Sequence, residues 1–184
     1  MITNAIITDL ASSVLPLSIV KKHLRIESDF TDEDDLILAY TEAAIAHCEN
    51  FIGGHLYERS FIIEADEFDS PFQFDFFPVK NVKSVKYYNE LNVLQTMAPT
   101  NYKLVAYNNK YAALRFVTDL PYTYTRFDAI VIEGTIGYTD IPLPIQQAVL
   151  LIVGGMYENR EDETKTTFQR ISAANNLLMP YKKY

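Results

Sequence analysis

Four consecutive acids, Asp32, Glu33, Asp34 and Asp35, stand in the run DFTDEDD. Clustered carboxylates are hard oxygen donors that would hold a divalent cation, the requirement of a metal-dependent nuclease. The run lacks the glycine that an EF-hand loop needs at its sharp turn. A helix N-terminus accounts for the same acids without a metal, because the helix dipole favours negative charge in the first turn. Thr31 fits as the N-cap, with Asp34 three residues on as a near capping box. The histidines His23, His47 and His55 show no HExxH or other zinc spacing. Cys48 adjoins His47, but neighbours on a helix point about 100° apart, so they form no nucleophile–base pair. A buried thiol is the ordinary state of such a cysteine. As the only cysteine it also excludes an internal disulfide and a cysteine-based zinc site. GxSxG, P-loop and GxGxxG patterns do not occur. No nucleophile, base and orienting group can be named together, and the expectation is a protein without catalytic residues, cofactor or metal.

The balance of charge and apolar content narrows the class. At 184 residues and 48% hydrophobic content the chain suits one domain, or one domain with an insertion, and can bury a sizeable core. The N-terminus lacks the basic-then-apolar shape of a signal peptide, which reads as a cytosolic protein. Net charge is −8, a poor basis for gripping nucleic acid but compatible with a surface past which DNA slides. Charge is also unevenly placed. Between Arg25 and Arg59, the acids from Glu27 to Glu49 meet no Lys or Arg, whereas Lys165, Arg170, Lys182 and Lys183 follow Glu163 with no acid. Two such ends meet different surfaces, or each other across a subunit contact, or are simply two solvated faces.

The periodicities divide the chain into three parts. LSIVKKHLRI predicts a short amphipathic helix after Pro16, with Leu17, Val20 and Leu24 on one side. The next helix follows Thr31 and stops at Gly53-Gly54, a C-cap signal. The middle, Tyr57 to Tyr138, holds 17 of the 24 Tyr and Phe residues. SFIIEAD reads as a strand, and PFQFDFF alternates so that Phe72, Phe74 and Phe76 share a face. VKSVKYY and VLQTM flank a polar NELN turn; NYKLVAY and YAALRFV flank Asn108-Asn109, a tight hairpin; AIVIEGTIGY is the last strand. The aromatics could form a stacking platform for single-stranded nucleic acid, but no basic groove accompanies them, and sheet core is the better account. Lys80, Lys83 and Lys86 mark a solvated face or an edge strand. After Pro142 and Pro144, which suit the lead-in to a helix, Ile145, Val149, Ile152 and Met156 recur at helical spacing, with Ala148 and Val153 beside them. Ala148 to Met156 is uncharged, yet far shorter than the roughly 20 residues of a membrane span. It predicts a helix buried on most sides, in which Gly154 and Gly155 let another backbone come close. A final helix runs from about Thr167 to Leu178.

The fold class expected is α+β: an antiparallel helical bundle of residues 15–54 and 142–178, an inserted antiparallel β region at 57–138, and an extended C-terminal tail at 179–184. Pro180 ends the helix, so the tail is expected to stand free of the body. Its removal would then leave stability unchanged.

The ordered set of these segments resembles the phage gp6-like head–tail connector family. The resemblance is carried by LPLSIVKKHLRIESDFTDEDDLILAYTEAAIAHCENFIG, by PVKNVKSVKYYN from Pro78 to Asn89, and by Gly137-Tyr138 with Ile141-Pro142, a helix, and Tyr157-Glu158-Asn159-Arg160-Glu161. The ending Leu177-Leu178-Met179-Pro180-Tyr181-Lys182 is similar to the family's closing motif, with Lys182 where Arg is usual. Thr135-Ile136 departs from the usual Ala before Gly-Tyr. The resemblance implies a structural virion protein at the head–tail interface, found in the host cytoplasm during assembly. Its copies form a ring, dodecameric by the family pattern, under the portal protein. The ring extends the DNA channel and gives a tail or stopper protein its docking surface, without sequence-specific DNA binding or a membrane. It also implies that the C-terminal residues Leu177, Leu178, Met179, Tyr181, Lys182, Lys183 and Tyr184 bind the portal. A stopper or tail-completion protein of the same fold, and more remotely the nuclease, are the alternatives.

Overall fold

A computed structural model describes residues 2–9, 15–107, 110–160 and 165–183. It is an α+β protein of two compact units: Met1–Ser12 with Tyr57–Thr139, and Ser13–Leu56 with Asp140–Tyr184. Among the described residues no helix is long and apolar enough to cross a membrane.

The second unit is helical. Pro16, with fixed φ and no N–H to satisfy, precedes α1 (Leu17–Leu24), and Arg25 closes it in the left-handed region at φ 59°. Val20 and Lys21 are its buried residues. Lys21 buries its stem while its ammonium reaches Phe30 O at 2.7 Å and Asp34 Oδ1 at 2.5 Å. This changes the expected helix start. α2 spans Asp34–Ile52, Glu33 is its N-cap residue, and no side chain caps it. Thr31 contributes only its carbonyl, 3.1 Å from Asp34 N. The contacts that Lys21 makes hold this turn in place of a capping box. α2 buries Ile37, Thr41, Ala44, Ile45, Cys48 and Ile52, a helical stripe, and ends as expected at Gly53, whose φ is 73°.

α3 spans Leu143–Glu158 behind Pro142 and buries Ile145, Ala148, Val149, Ile152, Val153 and both glycines. A Cβ on Gly154 would stand 3.5 Å from the His23 ring, an ordinary van der Waals contact, so no close backbone approach requires a glycine at this position. Asn159 ends the helix twice over, its backbone N–H and its Nδ2 each 3.1 Å from Gly155 O. α4 spans Lys165–Leu178, packs on α3 and α2, and buries Ala174 and Leu178. His47 Nε2 lies 3.2 Å from Asn175 Oδ1, a polar tie between α2 and α4.

The other unit holds two antiparallel sheets. The larger has the order β1 (Ile2–Asp9), β2 (Arg59–Ala65), β8 (Ile130–Ile136), β4 (Val79–Tyr88) and β5 (Leu94–Thr96). The smaller has the order β3 (Phe72–Gln73), β7 (Tyr111–Phe116) and β6 (Tyr102–Tyr107). β1 has no counterpart in the sequence-based expectation. It pairs with β2 from Asn4↔Glu64 to Asp9↔Arg59. The aromatic alternation at Phe72–Phe76 is mostly packing rather than ladder: after Gln73 the chain leaves the sheet, and Phe74 N reaches Ala112 O at 3.1 Å. Phe61 meets the rings of Phe74 and Phe76 at centroid distances of 5.7 and 4.9 Å. These rings join Phe72, Ile63, Ile130, Ile132 and Leu114 in one buried cluster. The β4–β5 turn forms as expected, with Asn89 Oδ1 accepting from the N–H groups of Leu91 and Val93. Asn108-Asn109 lie outside the described residues; the strands on either side of them pair from Tyr102↔Phe116 to Tyr107↔Tyr111.

Candidate interaction site

The C-terminal residues singled out as a binding segment do not form an extended, free tail. Leu178 is fully buried in the helical unit, and Met179–Tyr181 make a 3-10 turn. Lys183 N–H then donates to Ile52 O at 2.9 Å, and Lys182 Nζ sits 5.1 Å from the centre of the Phe51 ring. The physical reason lies at the end of α2. Its last carbonyls lack helical partners and carry the negative pole of the dipole, and its last turn holds no basic residue. The tail supplies the Lys183 N–H and the Lys182 ammonium to that end. Leu177, Tyr181, Lys182 and Lys183 are half-buried there, and Met179 is 47% exposed. Tyr184 lies outside the described residues.

The acidic run divides its labour. Asp34 pairs with Lys21, whereas Glu33 is held from the other end of the unit. Tyr157 OH donates to Glu33 Oε2, and Arg160 Nη2 donates to Glu33 Oε1 at 2.7 Å. The Arg160 guanidinium also lies 4.9 Å from the centre of the Tyr157 ring. The Tyr157 hydroxyl and then Arg160 hold the Glu33 carboxyl below its ordinary pKa, and the Glu33 carboxylate pushes the Tyr157 hydroxyl up. Sequence reasoning noticed both segments but not that they meet; the available signal was one acidic run and one Arg just past an apolar helix. No group of three or more His, Cys, Asp or Glu among the described residues could hold a metal ion. Cys48 is buried, and burial pushes its thiol up to about 12. A cavity of about 460 Å³ beside α1 and α3 is lined by His23 and Arg25 but also by Glu158, so it presents no single sign of charge.

In the β unit, Lys80 pairs with Glu58 and Lys86 with Glu133, each at 2.7 Å, so this lysine series is partly neutralised and makes no basic groove. Large apolar side chains are exposed at one loop cluster: Leu91 is 82%, Tyr122 83% and Phe127 83% exposed. Arg126 fastens this cluster, stacked 3.7 Å over the Tyr88 ring and bound to Asn92 and Asp128.

The profile of the phage gp6-like head–tail connector proteins matches residues 15–126. The chain belongs to that family. It is a structural connector protein of the phage type. Among curated proteins none matches the connector. Its fold is shared by chains of solved gene transfer agent (GTA) particles. A chain in the neck of an empty GTA particle computed with C6 symmetry has a TM-score of 0.74 and 21% identity, over 97% of the connector and 96% of that chain. A chain in the virion of the native particle aligns with the same figures, 0.74, 21%, 97% and 96%. A chain in the neck of the native particle computed with C12 symmetry has a TM-score of 0.71 and 19% identity, over 97% and 96%.

Proposed function

We propose that the connector is one subunit of a ring under the portal of a tailed particle, with closed cyclic symmetry and roughly twelve copies. The observation that carries this reading is family membership joined to a fold shared, end to end, with chains of particle necks computed with C6 and C12 symmetry. The ring continues the DNA channel and gives a tail or stopper protein its docking surface. Its subunit reads as an antiparallel helical bundle with the β region inserted. Its role needs no catalysis, and its net charge of −8 suits a channel that does not retain DNA. It sits at the head–tail interface of the virion after passing through the host cytoplasm.

The portal contact falls to the C-terminal segment. Met179, Tyr181, Lys182, Lys183 and Tyr184 supply an exposed thioether, rigid aromatic area and positive charge, while Leu177 and buried Leu178 fix where the segment starts. The turn docked on Phe51 and Ile52 holds Met179, Tyr181 and Lys182 in one arrangement and lowers the ordering cost of binding. Electron microscopy of the connector mixed with its portal tests the whole reading. A closed ring on the portal is expected, with density for the C-terminus at the contact. A chain that stays monomeric beside portal and joins no particle would sink it.

A further inference from the structure

We infer that neighbouring copies meet through opposite charge, the outer face of α2 on one copy docking on the outer face of the β6–β7 pair of the next. The inference rests on the ring proposed above and names the surfaces that build it. Each face carries one sign of charge. β3, β6 and β7 hold Lys103 and Arg115 and no acid, in a chain with 24 acids and 16 Lys and Arg. α2 holds Asp34, Asp35, Glu42 and Glu49 and no Lys or Arg.

Lys103 and Arg115 stand directly opposite each other across the β6–β7 ladder. Both are exposed, while Leu104 and Leu114, the next pair along, turn to the other face and join the buried cluster. Like charges opposed on one face of a sheet, with β-carbons about 5 Å apart, repel each other. Neither cation forms an ion pair with any described residue. A carboxylate brought from outside would offset that repulsion. The rest of the face is largely apolar: Val105 and Ala113 are paired and half-buried, and Tyr111 is 48% exposed. This is a mixed apolar and cationic patch, not the row of cations that DNA phosphates require.

α2 presents the complement. Asp35, Leu38, Ala39, Glu42, Ala43 and Ala46 recur at three- and four-residue spacing and are all exposed, a stripe opposite to the one the helix buries. Most of this stripe is apolar, and Leu38 is 39% exposed, where a solvated helix face ordinarily carries charge. Asp35 and Glu42, about 10 Å apart along the axis, form no ion pair with any described residue. Two unpaired acids in an apolar stripe thus match two unpaired cations in an apolar sheet face. Such matching steers encounter and fixes register, and the apolar residues supply area to bury. The two faces differ, so the contact is heterologous. Repeated from copy to copy, it uses one face of each kind on every subunit, which a closed ring requires.

A charge swap tests this on the connector mixed with its portal, with rings counted by electron microscopy. Lys103→Glu with Arg115→Glu makes both faces acidic; Asp35→Lys with Glu42→Lys makes both basic. Each double variant should melt like the parent, because all four sites are exposed. Alone, each should cut the ring yield about tenfold or more at low salt. An equimolar mixture should restore the rings with both chains in equal numbers, since every contact then joins an acidic face to a basic one. Should either variant not fold, zero-length carbodiimide coupling of the parent ring carries the test. Lys103 should couple to Asp35 or Glu42 between copies, read by mixing isotope-labelled and unlabelled chains. Parental ring yield from either variant alone, a mixture of folded variants that stays unassembled, or a ring without that coupling would each overturn the inference and leave the ring standing. A parent that forms no ring on its portal sinks the ring, and this contact with it.

Discussion

Arg160 and Glu33 meet across the helical unit, Nη2 to Oε1 at 2.7 Å, and so join the end of α3 to the start of α2. Tyr157 completes the clasp on the other carboxylate oxygen. Together they keep the Glu33 carboxyl ionised below its ordinary range. A carboxyl whose folded pKa is lowered contributes stability that is complete above its unfolded pKa, about 4.3 for Glu, and is lost as pH falls through the folded value. The melting-temperature gap between the parent and Glu33→Gln should be widest near neutrality and close in acid. A gap of equal size at low pH would show that the contact acts through packing rather than charge.

Ile152 is 3% exposed in the middle of α3. Ile152→Asp places an unpaired carboxylate in an apolar site, and a loss of about 3–5 kcal/mol is expected in urea denaturation. A variant that unfolds at the parent's midpoint would place α3 outside the core.

Two glycines with positive φ separate strain from collision. Gly137 has φ +97°, and a Cβ there would stand 1.8 Å from Tyr57 O; Gly53 has φ +73° with nothing within 4 Å. Gly53→Ala should cost about 1 kcal/mol, from the left-handed conformation alone. Gly137→Ala must also displace backbone and should cost clearly more. Equal midpoints for the two variants in the same denaturant series would contradict the geometry.

Cys48 is the only thiol, and burial raises its pKa to about 12. Thiolate is the reactive form, so the folded connector should resist a disulfide reagent at pH 8 and react fully once denatured. Fast labelling of the folded chain would mean that α2 opens locally.

Removing residues 180–184 deletes the Lys183 N–H bond to Ile52 O and the Lys182 contact with Phe51. A stability loss of about 1 kcal/mol is expected, where a free tail would have cost nothing. Portal binding should disappear altogether. Lys182→Glu with Lys183→Glu should slow association most at low salt, where screening is weakest. Full portal affinity of the truncated chain would move the contact elsewhere, most directly to the acidic end of α2.

Much of the fold was legible because burial and periodicity are local properties of a strand or helix. The stripe Ile145, Val149, Ile152 marks α3, Gly53 marks the end of α2, and Asn89 marks the β4–β5 turn. β1 was not legible: ITNAIITD has no two-residue alternation, because Thr3 to Thr8 are all exposed. The start of α2 was misplaced at Thr31 because Lys21, ten residues earlier, holds the turn that a capping box would otherwise hold. The tail was misjudged for a related reason. Pro180 does stop α4, but whether the chain beyond it is free depends on an acceptor in α2.

The amino-acid sequence by itself determined the element types and the apolar faces, since these follow from side-chain spacing along one segment. It also carried the ordered motifs that resemble the connector family. Only the tertiary structure decided that Glu33 is clasped by Tyr157 and Arg160, that Lys182 and the Lys183 N–H sit at the end of α2, and that β1 is added as an outer strand beside β2. Each of these joins groups far apart in the chain, and such a contact is set by how elements pack, which no local pattern encodes.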